Sequence, residues 1–121
     1  KKNNEKEVLV WGDGSATRDF SYIEDIAEGI ILSAEKYNES LPINLASGRE
    51  TSIKELVEII KNQMNYNGII RWDTDMPVGP NRRNVSIDLA QKKIKFNPKV
   101  SLEDGIKRTI DSFASLEKNK Y

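Results

Sequence analysis

The sequence predicts a small α/β domain of short strands and three main helices. Three observations carry this: apolar residues recur at helical spacing in three separate stretches, short β-branched and aromatic runs stand between them, and serines followed three residues later by an acid mark helix starts. At 121 residues the chain fits one domain, which buries roughly two-thirds of its unfolded surface.

The elements follow in order. Val8-Leu9-Val10-Trp11 is an apolar strand, and Gly12-Asp13-Gly14 supplies a turn at positive φ. Arg18, Phe20 and Tyr22 then alternate with Asp19 and Ser21, predicting a second short strand joined to the first as a hairpin. A dinucleotide or phosphate-loop reading fails here, because Gly12-x-Gly14-x-x-Thr17 has no third glycine and runs into a strand rather than a helix. The capping box Ser21-x-x-Glu24 opens a helix with Ile23, Ile26, Ala27, Ile30, Ile31 and Ala34 in helical register, ending near Tyr37. Pro42 to Gly48 reads as a short strand closed by a glycine turn, and Ser52-x-x-Glu55 opens a helix with Ile53, Leu56, Val57, Ile60 and Met64 on one face. Asn67-Gly68 turns the chain into a strand over Ile69 to Trp72, followed by a loop from Asp73 to Arg83. Val85 to Ile87 is expected to be briefly extended, Leu89 to Ile94 a short helix, and Ser101-x-x-Asp104 caps a last helix with Leu102, Ile106, Ile110, Phe113 and Leu116 inward. Residues 1–7 are a polar N-terminal segment, 8–117 the domain and 118–121 a polar tail. The strands are too few for a full doubly wound sheet. Either they form a small mixed sheet under the helices, or some join the edge of a sheet supplied by another segment.

Composition narrows the chemistry. Nineteen basic residues balance nineteen acidic ones, so no net field favours nucleic acid or an anionic membrane. Cysteine and histidine are both absent, which removes disulfides, thiolate nucleophiles, Ser-His-Asp systems and ordinary zinc sites. Carboxylates, Tyr, Lys and Arg remain. No apolar run suits a signal peptide or a membrane span, so a soluble cytoplasmic protein is expected.

Arg18, Arg82 and Arg83 are the candidates for gripping a phosphate or diphosphate, because forked guanidinium donors match those oxygens and stay charged. All three lie in or beside glycine-containing turns, where arginines also serve as solvated or ion-paired surface residues. Trp11 and Trp72 each end a strand next to an arginine loop; either places a ring near a bound base or sugar, or packs in the core. Asp25, in the first turn of a helix, complements the helix dipole rather than doing acid–base work.

These residues resemble the extended short-chain dehydrogenase/reductases that modify nucleotide sugars, the NAD-dependent epimerases, dehydratases and GDP-fucose synthases. The resemblance runs from Val8 to Phe113. It rests on Trp11-Gly12-Asp13-Gly14 with Arg18-Asp19-Phe20-x-Tyr22-Ile23-x-Asp25, and on Asn44-Leu45-Ala46-Ser47-Gly48 with Thr51-Ser52-Ile53. Trp72-Asp73-Thr74-x-x-Pro77-x-Gly79-x-x-Arg82-Arg83 and Phe96-x-Pro98-x-Val100-Ser101-Leu102-x-x-Gly105 complete it. It implies that Arg18 contacts a substrate diphosphate, that Arg82 or Arg83 contacts it from the opposite side, and that Trp11, seven residues before Arg18, sits near the nucleotide-sugar. Ser86 departs from the pattern by standing where many relatives carry Asp.

The family's Gly-x-x-Gly-x-x-Gly cofactor fingerprint and Tyr-x-x-x-Lys pair are absent from the sequence. The resemblance therefore implies a C-terminal substrate-binding portion, with NAD or NADP held by an N-terminal Rossmann domain in cis or on a separate chain, and no turnover by this chain alone. The rival expectation is a non-catalytic binding module, or a homodimer, that keeps the fold without the chemistry.

Overall fold

A computed structural model describes residues 6–118 and shows five strands and four helices in the order β1 (Glu7–Trp11), β2 (Thr17–Arg18), α1 (Ile23–Lys36), β3 (Thr51–Ser52), α2 (Ile53–Gln63), β4 (Ile69–Asp73), β5 (Arg82–Arg83), α3 (Asp88–Ile94) and α4 (Leu102–Lys118). Of the polar ends assigned to residues 1–7 and 118–121, residues 1–5 and 119–121 lie outside the described residues.

The strands form two sheets. In the first, β1 runs parallel to β4, pairing Val8 with Ile70 and Val10 with Trp72. Alternation along each strand turns these residues to one face, the one that looks toward α2, where Val8 is still 41% exposed. Val8, Val10 and Ile70 border a cavity of about 350 Å³ with Val57, Ile60, Met64 and Tyr66. Leu9, Trp11 and Ile69 alternate to the other face and stay exposed. In the second sheet β2 is central, antiparallel to β3 and parallel to β5, with two residues per strand.

The buried core lies apart from both sheets. Ala90, Ile94 and Phe96 pack against Leu32, Tyr37, Ile43 and Leu45. Gly29 lets α1 approach this cluster, since a Cβ there would stand 2.9 Å from the Phe96 ring and 3.0 Å from Leu45. Asp25 is buried, and its carboxylate accepts the backbone N–H groups of Lys99 and Val100, each at 3.0 Å. This tie holds the chain that leads into α4, a firmer role than complementing a helix dipole.

The capping serines of α2 and α4 act as the sequence predicts: Ser52 Oγ accepts the Glu55 N–H and Ser101 Oγ the Asp104 N–H, both at 3.1 Å. The opening hairpin does not form. Gly12 and Gly14 take φ of +83° and +79° as expected, but the turn carries the chain out of one sheet and into the other. The ladder that would have closed the hairpin is replaced by β1 on β4, extended by Gly12 N–H donating to the Asp73 carbonyl at 2.7 Å. The second strand also stops at Arg18. Beyond it the Asp19 carboxylate accepts the N–H groups of Ser47 and Gly48 at 2.8 Å and the Ser21 hydroxyl at 3.0 Å. The Ser21 hydroxyl is directed to Asp19, and α1 starts one residue later, from Tyr22, with no side-chain cap.

The strand predicted over 42–48 is irregular. Ile43 and Leu45 turn inward at period two, yet among the described residues no backbone hydrogen bond reaches Ile43, Asn44 or Leu45. Extended chain with no neighbour to pair with is not a strand. The extension predicted at Val85 to Ile87 falls instead on Arg82 and Arg83, where β2 offers a partner.

Candidate functional site

The turn between the sheets is held by its own hydrogen bonds. Asp13 accepts the Ser15 N–H at 2.9 Å and the Ser15 hydroxyl at 2.6 Å, and these bonds hold its carboxyl below the usual carboxylate range. The Trp72 ring lies against Gly14, so a Cβ there would meet it at 2.7 Å. Trp72 is thus a packing residue. The first turn of α2 is bound to the same turn by Ile53 N–H to the Ala16 carbonyl and Lys54 N–H to the Gly14 carbonyl, both at 2.9 Å.

From this base β2 presents its two residues to opposite faces. Thr17 is in register with Arg82, and Arg18 with Arg83; paired positions share a face. Arg18 and Arg83 therefore stand side by side on neighbouring strands. Among the described residues neither pairs with a carboxylate; Arg18 Nη1 donates to the Thr17 carbonyl at 2.6 Å. The loop from Thr74 to Asn81 crosses above, anchored by Thr17 N–H to the Asn81 carbonyl at 2.8 Å. Where it passes Arg18 it carries Gly79, and a Cβ at that position would lie 3.2 Å from Arg18 Nη2.

Arg82 is in a different situation on the other face. Its Nε and Nη2 donate to both oxygens of Glu50, at 2.8, 3.0 and 2.7 Å, while the Thr17 hydroxyl donates to Glu50 Oε1 at 2.5 Å and Asn84 Nδ2 to Oε2 at 3.4 Å. The Arg82 hydrogen bonds, then the Thr17 bond, bring the Glu50 carboxyl down to about 2. Glu50 has no signature in the sequence, since its partners lie 32 to 34 residues away.

Trp11 sits at the far end of the same loop. It pairs in register with Asp73 where the loop begins, and it is 57% exposed on the open face of its sheet. Gly12 beside it is covered by Val78 of the loop. Trp11 and the Arg18–Arg83 pair thus mark the two ends of one loop, on different sheets. Ser86 accepts the Asp88 N–H at 3.2 Å at the start of α3 and takes the Asn44 side-chain N–H on its carbonyl at 3.1 Å.

The Gly12–Gly14 turn is filled by Val78 and Trp72 and enters a strand rather than a helix. No described helix is long and apolar enough to cross a membrane.

Comparison with known proteins agrees with this architecture. The chain is 38% identical over 112 residues to a putative GDP-L-fucose synthase 2 of Arabidopsis thaliana, covering 92% of this chain and 34% of that protein. The crystal structure of UDP-glucose 4-epimerase from Thermotoga maritima, solved with UDP-glucose, superposes with a TM-score of 0.84 at 28% identity, over 91% of this chain and 35% of that one. UDP-glucuronic acid 4-epimerase from Bacillus cereus, solved with UDP-glucuronic acid and NAD, gives 0.79 at 25% identity over 91% and 36%. The chain spans about a third of the length of each. The profile of the GDP-mannose 4,6 dehydratase family matches residues 1–109. The chain accordingly belongs to that family, among the extended short-chain dehydrogenase/reductases whose members include GDP-L-fucose synthases and UDP-sugar epimerases.

Proposed function

We propose that this chain is the substrate-gripping part of an NAD(P)-dependent enzyme that epimerises, dehydrates or reduces a nucleotide-diphosphate sugar. The observation that carries the reading is the pairing of Arg18 with Arg83 on one face of β2 and β5, with no carboxylate partner among the described residues, beneath a loop that brings Gly79 to the Arg18 guanidinium. Two adjacent guanidiniums present parallel donors to a diphosphate. Trp11 lies at the loop's other end, where its exposed ring is available to the nucleotide or sugar.

The hydride and proton steps belong to NAD(P) and to residues outside this sequence, which has no Tyr-x-x-x-Lys pair. A cofactor domain also has a place to dock. On α1, Ile23, Ala27, Ile30, Ile31 and Ala34 form an exposed apolar stripe at helical spacing, while the opposite side already packs on Phe96 and Leu45. A helix apolar on two sides belongs between two layers. The extended Ile43–Leu45 segment beside it is suited to the edge of that domain's parallel sheet.

In the full-length protein, Arg18→Ala weakens nucleotide-sugar binding several-fold to about a hundredfold, the range for losing a charge-assisted contact of about 1.5 to 3 kcal/mol. An unchanged KM refutes the diphosphate grip. The 121-residue chain with added NAD(P) and nucleotide sugars gives no turnover above a matched blank; turnover refutes the division of labour. If the chain instead forms a stable dimer through the α1 stripe in the full-length protein, the stripe is not the cofactor domain's seat.

A further inference from the structure

Arg82 and Arg83 are adjacent in sequence, yet only one of them is free to meet a ligand. Both oxygens of Glu50 are occupied: Arg82 chelates the carboxylate through Nε and Nη2, and Thr17 and Asn84 supply further donors. The carboxylate reaches all three strands of the small sheet, since Glu50 directly precedes β3, Thr17 belongs to β2 and Arg82 to β5. Each strand has two residues, so the backbone ladder is too short to fix register strongly by itself. In a strand a slip of one residue exchanges the faces. Here such a slip would bring Arg82 to the side of Arg18 and carry Arg83 away.

We propose that Glu50 is a positioning residue: by chelating Arg82 and binding Thr17 it fixes the register of β5 on β2, and so selects Arg83 as the partner of Arg18 for the ligand's diphosphate. This rests on the diphosphate reading above. It assigns Arg82 to the scaffold and Arg83 to the ligand. An ordinary surface ion pair would affect folding alone; a register lock couples Glu50 to the affinity that Arg83 supplies.

The test is a double-mutant cycle on the full-length protein, with GDP and UDP as probes in titration calorimetry and thermal melting run alongside. Arg18→Gln and Arg83→Gln each weaken binding of the preferred diphosphate about tenfold or more, as expected for a charged hydrogen-bonding group. Glu50→Ala weakens it about three- to tenfold, and in that background Arg83→Gln has a clearly smaller effect than in the wild type, the signature of coupled residues. Glu50→Gln keeps acceptor and shape, and restores part of the affinity lost in Glu50→Ala; it also serves if Glu50→Ala does not fold. Independent fold-changes that multiply, or a Glu50→Ala protein with lower melting temperature and wild-type affinity, overturn the register lock. Wild-type affinity in Arg18→Gln overturns the diphosphate grip itself, a result distinct from the other two.

Discussion

At the scale of single residues, the acids of this chain act as ties. Asp25 spends both carboxylate oxygens on the Lys99 and Val100 N–H groups in a buried site. Asp25→Ala leaves two amides without acceptors, and stability in urea denaturation falls by about 2 to 3 kcal/mol. Glu50 behaves differently because its partners are charged. Its carboxyl lies at about 2 in the folded protein against 4.5 for the ordinary group, so the folded state holds the deprotonated form more tightly than the unfolded state does. Its contribution is fully present above pH 4.5 and is lost as the pH falls toward about 2. In Glu50→Gln the melting temperature therefore falls less between those limits than in the wild type. The place of Arg18 on a short strand just after the glycine turn was legible in the sequence, because turn, arginine and helix start follow within a few residues. Glu50 was not, because a contact between residues 32 apart leaves no local pattern.

At the scale of elements, the helices and the positions of β1 and β4 were legible, and the pairing of the strands was not. A helix closes its hydrogen bonds within a turn, so period and caps announce α2 and α4 without help from the rest of the molecule. A strand depends on its neighbour, and nothing local says that β1 will lie along β4 instead of folding back on β2. Caps illustrate the same boundary. Ser52→Ala removes a formed cap and lowers stability by about 1 kcal/mol, whereas Ser21→Ala removes only a bond to Asp19 and leaves the Tyr22 start of α1 in place. Comparing the two denaturation midpoints checks the distinction. Gly29→Ala tests packing, since its Cβ would press on Phe96 and Leu45; an overpacked core loses about 1 to 3 kcal/mol.

At the scale of the whole molecule, the core is concentrated where α1 and α3 meet Phe96, while one face of the β1–β4 sheet, the α1 stripe and the backbone of the Ile43–Leu45 segment remain open. The predicted strands, too few for a full doubly wound sheet, indicated this imbalance; which surfaces stay open became visible only in three dimensions. If the cofactor domain seats there, the amides of Ile43, Asn44 and Leu45 exchange rapidly with solvent deuterium in the 121-residue chain and slowly in the full-length protein. Equal exchange in both rules out that seat. The brevity of β2, β3 and β5 has its own consequence. Whenever two-residue strands such as these open, the arginine pair is lost with them, and an observed dissociation constant is then the intrinsic one divided by the assembled fraction. In the proposed grip, affinity is tuned by how often the pair exists, so residues that never meet a ligand would set it as surely as those that do.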